Sequence, residues 1–192
     1  IQAPDKTSAF GHSLAISTDG TVIAISAPLN DDIDADQGVV YIYTQVNGVF
    51  ELSQTLNSPS NERAEMFGWN ISFDGDKLHI AARNTDSAAV TFFDNYSTVF
   101  DRGFTDFKTI NQDSGVVFVY EVINTELLFA QKIQIPDSDV SYFGQNIIAK
   151  NNHLYIGLPK KVASGSTGQI VDIANDKNKP MWATHRTAKP TV

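Results

Sequence analysis

One stretch of the sequence is dense in the oxygen-bearing side chains that bind hard cations. Within residues 30–38, the alternate carboxylates of Asp32, Asp34 and Asp36 have the spacing of a calcium loop, because a hard cation needs several oxygen ligands within a few residues. The glycine that ends this run stands one residue later than in such a loop, and Tyr43 stands where its final glutamate would be. The pattern favours a solvated acidic loop, and a calcium site is the alternative.

Other residue types that perform catalysis form no recognisable constellation. The histidines are scattered along the chain, at His12, His79, His153 and His185. The serine-rich turn 164–168 lacks the strand-to-helix context of a nucleophile elbow and the Gly-Lys-Ser/Thr ending of a phosphate loop. Aspartate and glutamate are plentiful, but nothing singles out a pair of the glycosidase kind. The sequence therefore predicts a protein that is not an enzyme, with no cofactor other than a possible calcium ion.

The elements that must position these residues form an internal repeat. Three copies begin with the same dipeptide, at Phe10-Gly11, Phe67-Gly68 and Phe143-Gly144. Each is followed by an apolar run, a turn and a second apolar run, and two copies continue with closely similar segments, Gly38-Val-Val-Tyr-Ile-Tyr and Gly115-Val-Val-Phe-Val-Tyr. Repeats at intervals of this size indicate stacked supersecondary units.

The runs are short and rich in valine, isoleucine, tyrosine and phenylalanine, so they predict strands, and no helix is expected. Four short antiparallel strands per copy predict an all-β, β-propeller-like array of about three blades, part of a larger propeller. The phenylalanines would be core anchors between blades, and the glycines would let the backbone approach its neighbour closely. The predicted units are the end of a preceding repeat at 1–9, blade 1 at 10–56, blade 2 at 57–136, and blade 3 with an exit segment at 137–192.

The second copy contains an insertion, residues 87–113, in which Phe-Asp pairs recur. An insertion rich in aromatic residues is either an extra hairpin packed on the blade or a contact surface for another chain. The candidate interface residues are Phe92, Phe93, Phe100, Phe104 and Phe107.

The composition narrows the classes of partner. The chain has 192 residues, no cysteine, and 22 acidic against 14 basic residues, which gives a net charge of −8. Without cysteine, neither a disulfide framework nor a thiolate metal site is possible. The negative field repels phosphate backbones and anionic membrane surfaces, and no apolar stretch is long enough to span a bilayer. Neither nucleic acid nor membrane is an expected partner.

The repeat resembles the FG-GAP repeat of integrin-α-like β-propellers. The likeness rests on Phe-Gly-His-Ser at Phe10, Ile-Ala-Ile-Ser-Ala-Pro ending at Pro28, and the segment from Gly38 to Tyr43, and it covers residues 10–173. The second copy departs from it at Ala82-Arg83. The better match is to the form without a calcium loop between its first two strands. The Phe-Asp recurrence and the end of the chain also resemble repeats in virion structural proteins of marine tailed phages.

These resemblances imply a structural or adhesive module of a phage virion, in the tail, neck or baseplate. The expected partners are other virion proteins or further domains of the same polypeptide, and a host-surface receptor or glycan is a further possibility. One alternative is a secreted, calcium-dependent or glycan-binding adhesin at the cell surface. The other is a propeller hydrolase or lyase, which would need convergent acids or histidines at a central channel.

Overall fold

The protein, seen in a computed structural model, consists of β-strands and their connections. The structure describes residues 1–4, 9–32, 35–60, 64–84, 115–123, 126–134, 140–141, 143–158, 160–161, 169–174 and 185–187. Fourteen strands and no helix lie in these ranges, which confirms the all-β prediction for this part of the chain. It follows that no described segment is a helix able to cross a membrane.

Three four-stranded antiparallel sheets contain most of the strands, and a two-stranded sheet contains the rest. Sheet 1 consists of β1 (Leu14–Ile16), β2 (Val22–Ala27), β3 (Val39–Val46) and β4 (Val49–Asn57). Sheet 2 consists of β5 (Phe67–Asp74), β6 (Lys77–Ala82), β7 (Val116–Ile123) and β8 (Glu126–Ile133). Sheet 3 consists of β10 (Ile147–Lys150), β11 (His153–Leu158), β13 (Gln169–Ala174) and β14 (His185–Thr187). The small sheet pairs β9 (Val140–Ser141) with β12 (Lys160–Lys161).

Within each large sheet the strands are hydrogen-bonded in chain order. The two central strands of sheets 1 and 2 are buried over most of their length, because apolar side chains cover both of their faces. The outer strands β4 and β8 alternate between exposed and covered positions. A shift in the pairing register recurs between the third and fourth strands, at Ile42/Tyr43 in sheet 1 and at Val119/Tyr120 in sheet 2. The sequence repeat is therefore a repeat of local geometry as well.

The hydrophobic cores lie between neighbouring sheets. The core between sheets 1 and 2 contains Val40, Ile42 and Leu56 from one side and Phe67, Ile80 and Phe118 from the other, among other residues. The core between sheets 2 and 3 contains Val117, Val119 and Ile133 from one side and Phe143, Leu154 and Ile156 from the other. Each fully buried aliphatic or aromatic side chain stabilises the fold by about 1.5–3 kcal/mol.

Equivalent strands of successive sheets are neighbours. Hydrogen bonds join Ser13, the residue before β1, to β5 and join β5 to β10. At the outer side, the Gln54 amide on β4 bonds to the backbone of Leu127 on β8, donating to its carbonyl at 2.9 Å and accepting from its N–H at 3.0 Å. The β2–β3 connection, residues 28–38, and the β6–β7 connection, residues 83–115, leave the same edge of the stack. We call it the connecting-loop edge.

Candidate functional site

Phe67 and Gly68 form the contact between sheets 1 and 2. The Phe67 ring is fully buried, with its centroid 5.7 Å from that of Phe118. Gly68 has a φ of +88°, and a Cβ at this position would lie 2.9 Å from both Ser26 Cβ and Val40 Cγ2 of sheet 1. Only glycine combines this backbone conformation with so close an approach between the sheets.

Gly38 completes this contact from the side of sheet 1. It has a φ of +82°, and a Cβ would overlap the carbonyl oxygen of Phe67 and lie 2.7 Å from its amide nitrogen. The amide of Phe67 donates a hydrogen bond to the Gln37 carbonyl oxygen at 2.9 Å. The backbones of the two sheets therefore touch at Gly38 and Phe67.

The same arrangement joins sheets 2 and 3. Phe143 is 1% exposed in the core between them. Gly144 has a φ of +84°, and its Cβ would lie 3.1 Å from Ala81 Cβ and 3.2 Å from Val117 Cγ2. A Cβ on Gly115 would overlap the Phe143 carbonyl oxygen and lie 2.8 Å from its amide nitrogen. We call this shared arrangement the Phe-Gly junction.

Phe10 and Gly11 begin sheet 1, where no earlier sheet is present among the described residues. The Phe10 ring is half-buried and lies 5.7 Å from the Tyr41 ring, much as Phe67 lies against Phe118. Gly11 has the junction conformation, with a φ of +85°, but a Cβ there would meet nothing within 4 Å. Of the three predicted anchors, Phe67 and Phe143 thus lie between two sheets, and Phe10 lies on one.

Polar side chains on or just before the first strands also join the sheets, and sequence reasoning missed them. The Ser13 hydroxyl accepts a hydrogen bond from the Ile71 amide at 3.2 Å, and Asn70 Oδ1 accepts one from the Ile147 amide at 3.4 Å. Ser13 and Asn70 occupy equivalent positions, three residues after the phenylalanine. A polar residue recurring at that place was the signal that could have identified them.

Further acceptors on β5 bind the first hairpin of sheet 3. Ser72 Oγ accepts from the Ala149 amide at 2.9 Å. The Asp74 carboxylate accepts from the amides of Asn151 at 3.1 Å and Asn152 at 2.6 Å. Both asparagines have a positive φ, in the turn where the sequence predicted a tight hairpin.

The acidic loop uses several of its oxygens internally. Asn30 Nδ2 donates to Asp32 Oδ2 at 2.8 Å, and the Asp32 amide donates to Asn30 Oδ1 at 3.0 Å. The Asp36 amide donates to Asp31 Oδ1 at 2.7 Å. Asp34 lies outside the described residues. Among the residues that the structure describes, no group of three or more Asp, Glu, His or Cys side chains could hold a metal ion, and calcium binding at Asp32, Asp34 and Asp36 stays a prediction.

The backbone of the acidic loop pairs with the segment that leads into β5. The Ala64 amide donates to the Ala35 carbonyl oxygen at 2.9 Å, and the Met66 amide donates to that of Asp36 at 3.0 Å. Between them, Glu65 is fully buried and accepts from the Ser60 hydroxyl at 2.6 Å. The acidic loop is therefore held against residues 64–66, and the carboxylates of Asp31 and Asp32 are exposed to solvent.

The insertion 87–113 leaves this same edge. Its candidate interface residues, Phe92, Phe93, Phe100, Phe104 and Phe107, lie outside the described residues. The strands that carry the insertion are paired at its base, where Ala82 stands opposite Val116. Just past β6, the Arg83 guanidinium lies 4.4 Å above the Trp69 ring, and the Asn84 amide donates to the Glu65 carbonyl oxygen at 3.2 Å. The base of the insertion and the acidic loop therefore contact one segment.

His79 is buried between the sheets and cannot meet a substrate there. It is 1% exposed, and burial lowers its pKa to about 4, against the opposing effects of the Ser72 carbonyl, 3.3 Å from Nδ1, and of the Asp74 charge. A neutral imidazole in this position is a core residue. His12 lies against the Trp69 ring, with centroids 4.6 Å apart.

Compared with known proteins, the chain matches no protein-family model and no curated protein at a significant level.

Proposed function

We propose that this chain is a non-enzymatic structural or adhesive module in which propeller-like blades present the connecting-loop edge to a partner. The observation that carries this proposal is the repetition of the Phe-Gly junction between successive sheets. Two backbone contacts of the same geometry, each flanked by a close-packed hydrophobic core, make a stack whose sheets cannot slide past one another. Such a stack suits the rigid display of loops.

The contact surface in this proposal combines the acidic loop and the insertion 87–113. The paired strand ends at Ala82 and Val116 support the base of the insertion on the junction itself. The phenylalanines of the insertion would supply buried contact area, and Asp94, Asp101 and Asp106 would supply a polar rim. The resemblance to FG-GAP and phage virion repeats supports a place in a virion tail, neck or baseplate, with other virion proteins or a host-surface receptor as partner.

A loop replacement tests the contact surface. Because Ala82 and Val116 are paired neighbours, a short Gly-Ser linker in place of residues 87–113 can be accommodated without moving β6 or β7. The control inserts the same linker at Asn47-Gly48, the β3–β4 turn at the opposite edge. We expect both variants to keep the far-UV circular dichroism and thermal midpoint of the parent chain.

Binding is then compared on a glycan array, on fixed host cells and on purified particles of a tailed phage that encodes the chain. Only the variant without the insertion should lose binding. Equal binding by the two variants would exclude the insertion as the contact surface. Unfolding of the loop-replaced variant would instead show that the phenylalanines of the insertion belong to the core. Tryptic peptides of the chain should be found in purified, nuclease-treated particles, and their confinement to the cell pellet would contradict the virion assignment.

A further inference from the structure

The buried histidine of sheet 2, His79, lies at the contact with sheet 3. Its neighbours across the strands, on the same face, are Ser72 on β5 and Val119 on β7. The Ser72 hydroxyl accepts a hydrogen bond from the Ala149 amide of sheet 3, and Val119 belongs to the core between the two sheets. The β10–β11 hairpin of sheet 3 therefore covers the imidazole.

The surroundings of this imidazole suit its neutral form only. Nδ1 lies 3.3 Å from the Ser72 carbonyl oxygen, whereas Nε2 is buried and has no hydrogen-bond partner among the described residues. A protonated imidazole donates from both nitrogens, and burial of an unpaired charge is costly. At the equivalent place on sheet 1, Ala24 is fully buried against sheet 2. The packing of two sheets at this place therefore does not itself require a histidine.

The charged groups nearest His79 lie on sheet 2, in the next row of residues toward the β10–β11 turn. Asp74, Lys77 and Glu121 stand side by side on β5, β6 and β7, with Lys77 Nζ 3.3 Å from the Glu121 carboxylate. Burial has the largest effect on the pKa of His79 and lowers it. The Ser72 carbonyl and the Asp74 charge raise this pKa, and the Lys77 charge lowers it further.

The described residues of β10 and β11 provide no charge to balance that of a protonated His79. The titratable side chains of these strands, Lys150 and His153, are paired at positions that alternate with the core positions, so they lie on the far face of sheet 3. The residues of the two strands that belong to the core facing sheet 2 are Ile147, Ala149, Leu154 and Ile156.

The polar contacts between β5 and sheet 3 all reach this one hairpin. Asn70, Ser72 and Asp74 accept hydrogen bonds from four backbone amides within residues 147–152. Separation of the β10–β11 hairpin from sheet 2 would therefore break these contacts together and hydrate His79. Such local opening of one supersecondary unit needs no unfolding of sheets 1 and 2.

We propose that His79 is a proton-operated switch, which keeps the β10–β11 hairpin closed on sheet 2 at neutral pH and releases it in acid while sheets 1 and 2 stay packed. The proton comes from the solvent and binds the ring nitrogen that lacks one. This switch goes beyond the proposed scaffold function and does not involve the connecting-loop edge. It makes the stack rigid at neutral pH and open at one contact in acid.

The size of the effect follows from the two states of the imidazole. Its pKa is about 4 when the hairpin is closed, against 6.5 for a solvated histidine. The open state therefore binds the proton more tightly, so closure is fully favoured above pH 6.5 and weakens as the pH falls toward 4. The open fraction is expected to rise by about 100-fold between pH 7 and pH 4.

Hydrogen exchange of the full chain, followed by NMR at pH 7 and at pH 4, tests the switch. The Ala149 amide, bonded to Ser72, reports on the contact between sheets 2 and 3, and the Ile71 amide, bonded to Ser13, reports on that between sheets 1 and 2. Protection factors remove the direct effect of pH on the exchange reaction. The factor at Ala149 should fall by about 100-fold and that at Ile71 much less.

Two outcomes of this measurement would overturn the proposal. An equal fall of the protection factor at both amides would show that acid acts on the whole stack. Loss of the far-UV circular dichroism of the strands at pH 4 would show global unfolding in place of local opening.

Variants identify the group that takes up the proton. His79→Gln has a neutral polar side chain that does not titrate, so the Ala149 protection factor should lose most of its pH dependence. His79→Ala, which copies Ala24 of sheet 1, should do the same and serves if glutamine is not accommodated. Asp74→Asn is the matched control, since it should weaken closure at both pH values and keep the ratio between them. Full pH dependence without His79, or its loss in Asp74→Asn, would overturn the assignment to His79.

Discussion

Substituting Gly38 by alanine should destabilise the fold by about 2–5 kcal/mol, the sum of two effects. The first is backbone strain, because Gly38 has a φ of +82° and an L residue in the left-handed region costs about 1–2 kcal/mol. The second is overpacking, because the added Cβ would overlap the Phe67 carbonyl oxygen and lie 3.0 Å from that of Pro28. Both neighbours are backbone atoms and cannot rotate away, so sheets 1 and 2 must separate, at a cost of about 1–3 kcal/mol.

Gly75→Ala isolates the first effect. Gly75 has a φ of +60° in the β5–β6 turn, and a Cβ there would meet nothing within 4 Å. Urea denaturation followed by far-UV circular dichroism should give a loss of about 1 kcal/mol for Gly75→Ala and clearly more for Gly38→Ala. For a chain of this length the corresponding falls in thermal midpoint are about 2–4 °C per kcal/mol. Equal losses for the two variants would refute the argument that close approach to Phe67 requires glycine at position 38.

Three other properties can be tested on the same protein. The free energy of unfolding should fall by up to about 3 kcal/mol as the pH drops from 6.5 to 4, because the His79 imidazole takes up a proton in the unfolded chain but not in the folded one, where its pKa is about 4. His79→Leu should flatten urea-unfolding stability over this pH window, and an unchanged slope would assign the effect to other groups. Gln54→Ala should lower the free energy of unfolding by about 1–2 kcal/mol and speed hydrogen exchange at the Leu127 amide, because it removes two hydrogen bonds between sheets. Substitution of the exposed Gln45 is the control and should have neither effect. Replacing EDTA by 5 mM calcium should leave the thermal midpoint of the chain unchanged. A calcium site with a dissociation constant of about 0.1 mM would instead add about 2 kcal/mol to the free energy of unfolding. A rise of several degrees in the thermal midpoint would therefore favour the calcium-dependent adhesin.

The sequence predicted the strands well because their signals are local. Alternating β-branched and aromatic residues between Asp-Gly or Asn-Asn turns determine each hairpin, and the Phe-Gly dipeptide marks the start of each unit. The polar contacts between sheets were harder to foresee. Ser13 and Asn70 bond to backbone amides of the next sheet, more than fifty residues later in the chain, and nothing in their immediate neighbours indicates a partner at that distance.

Burial of an acidic side chain was also beyond the local pattern. Glu65 follows a polar segment and would be assigned to an exposed loop from sequence alone, yet it is fully buried and bonded to Ser60. Its burial follows from the pairing of residues 64–66 with the acidic loop, which depends on how sheet 1 meets sheet 2. For the same reason the order of the aspartates did not reveal that Asp31 and Asn30 oxygens are engaged within the loop.

Within this one chain, the junctions repeat while the connections between the second and third strands differ. Gly38 and Gly115 meet the following phenylalanine in the same way, although residues 28–38 precede the first and the far longer connection 83–115 precedes the second. A connection can therefore lengthen without disturbing the core, because its two ends are held together by paired strands and by a backbone contact to the next sheet. The residues between the sheets are committed to packing. The connecting-loop edge, where the connections differ in length and charge, is therefore the part of this fold that can acquire a binding specificity.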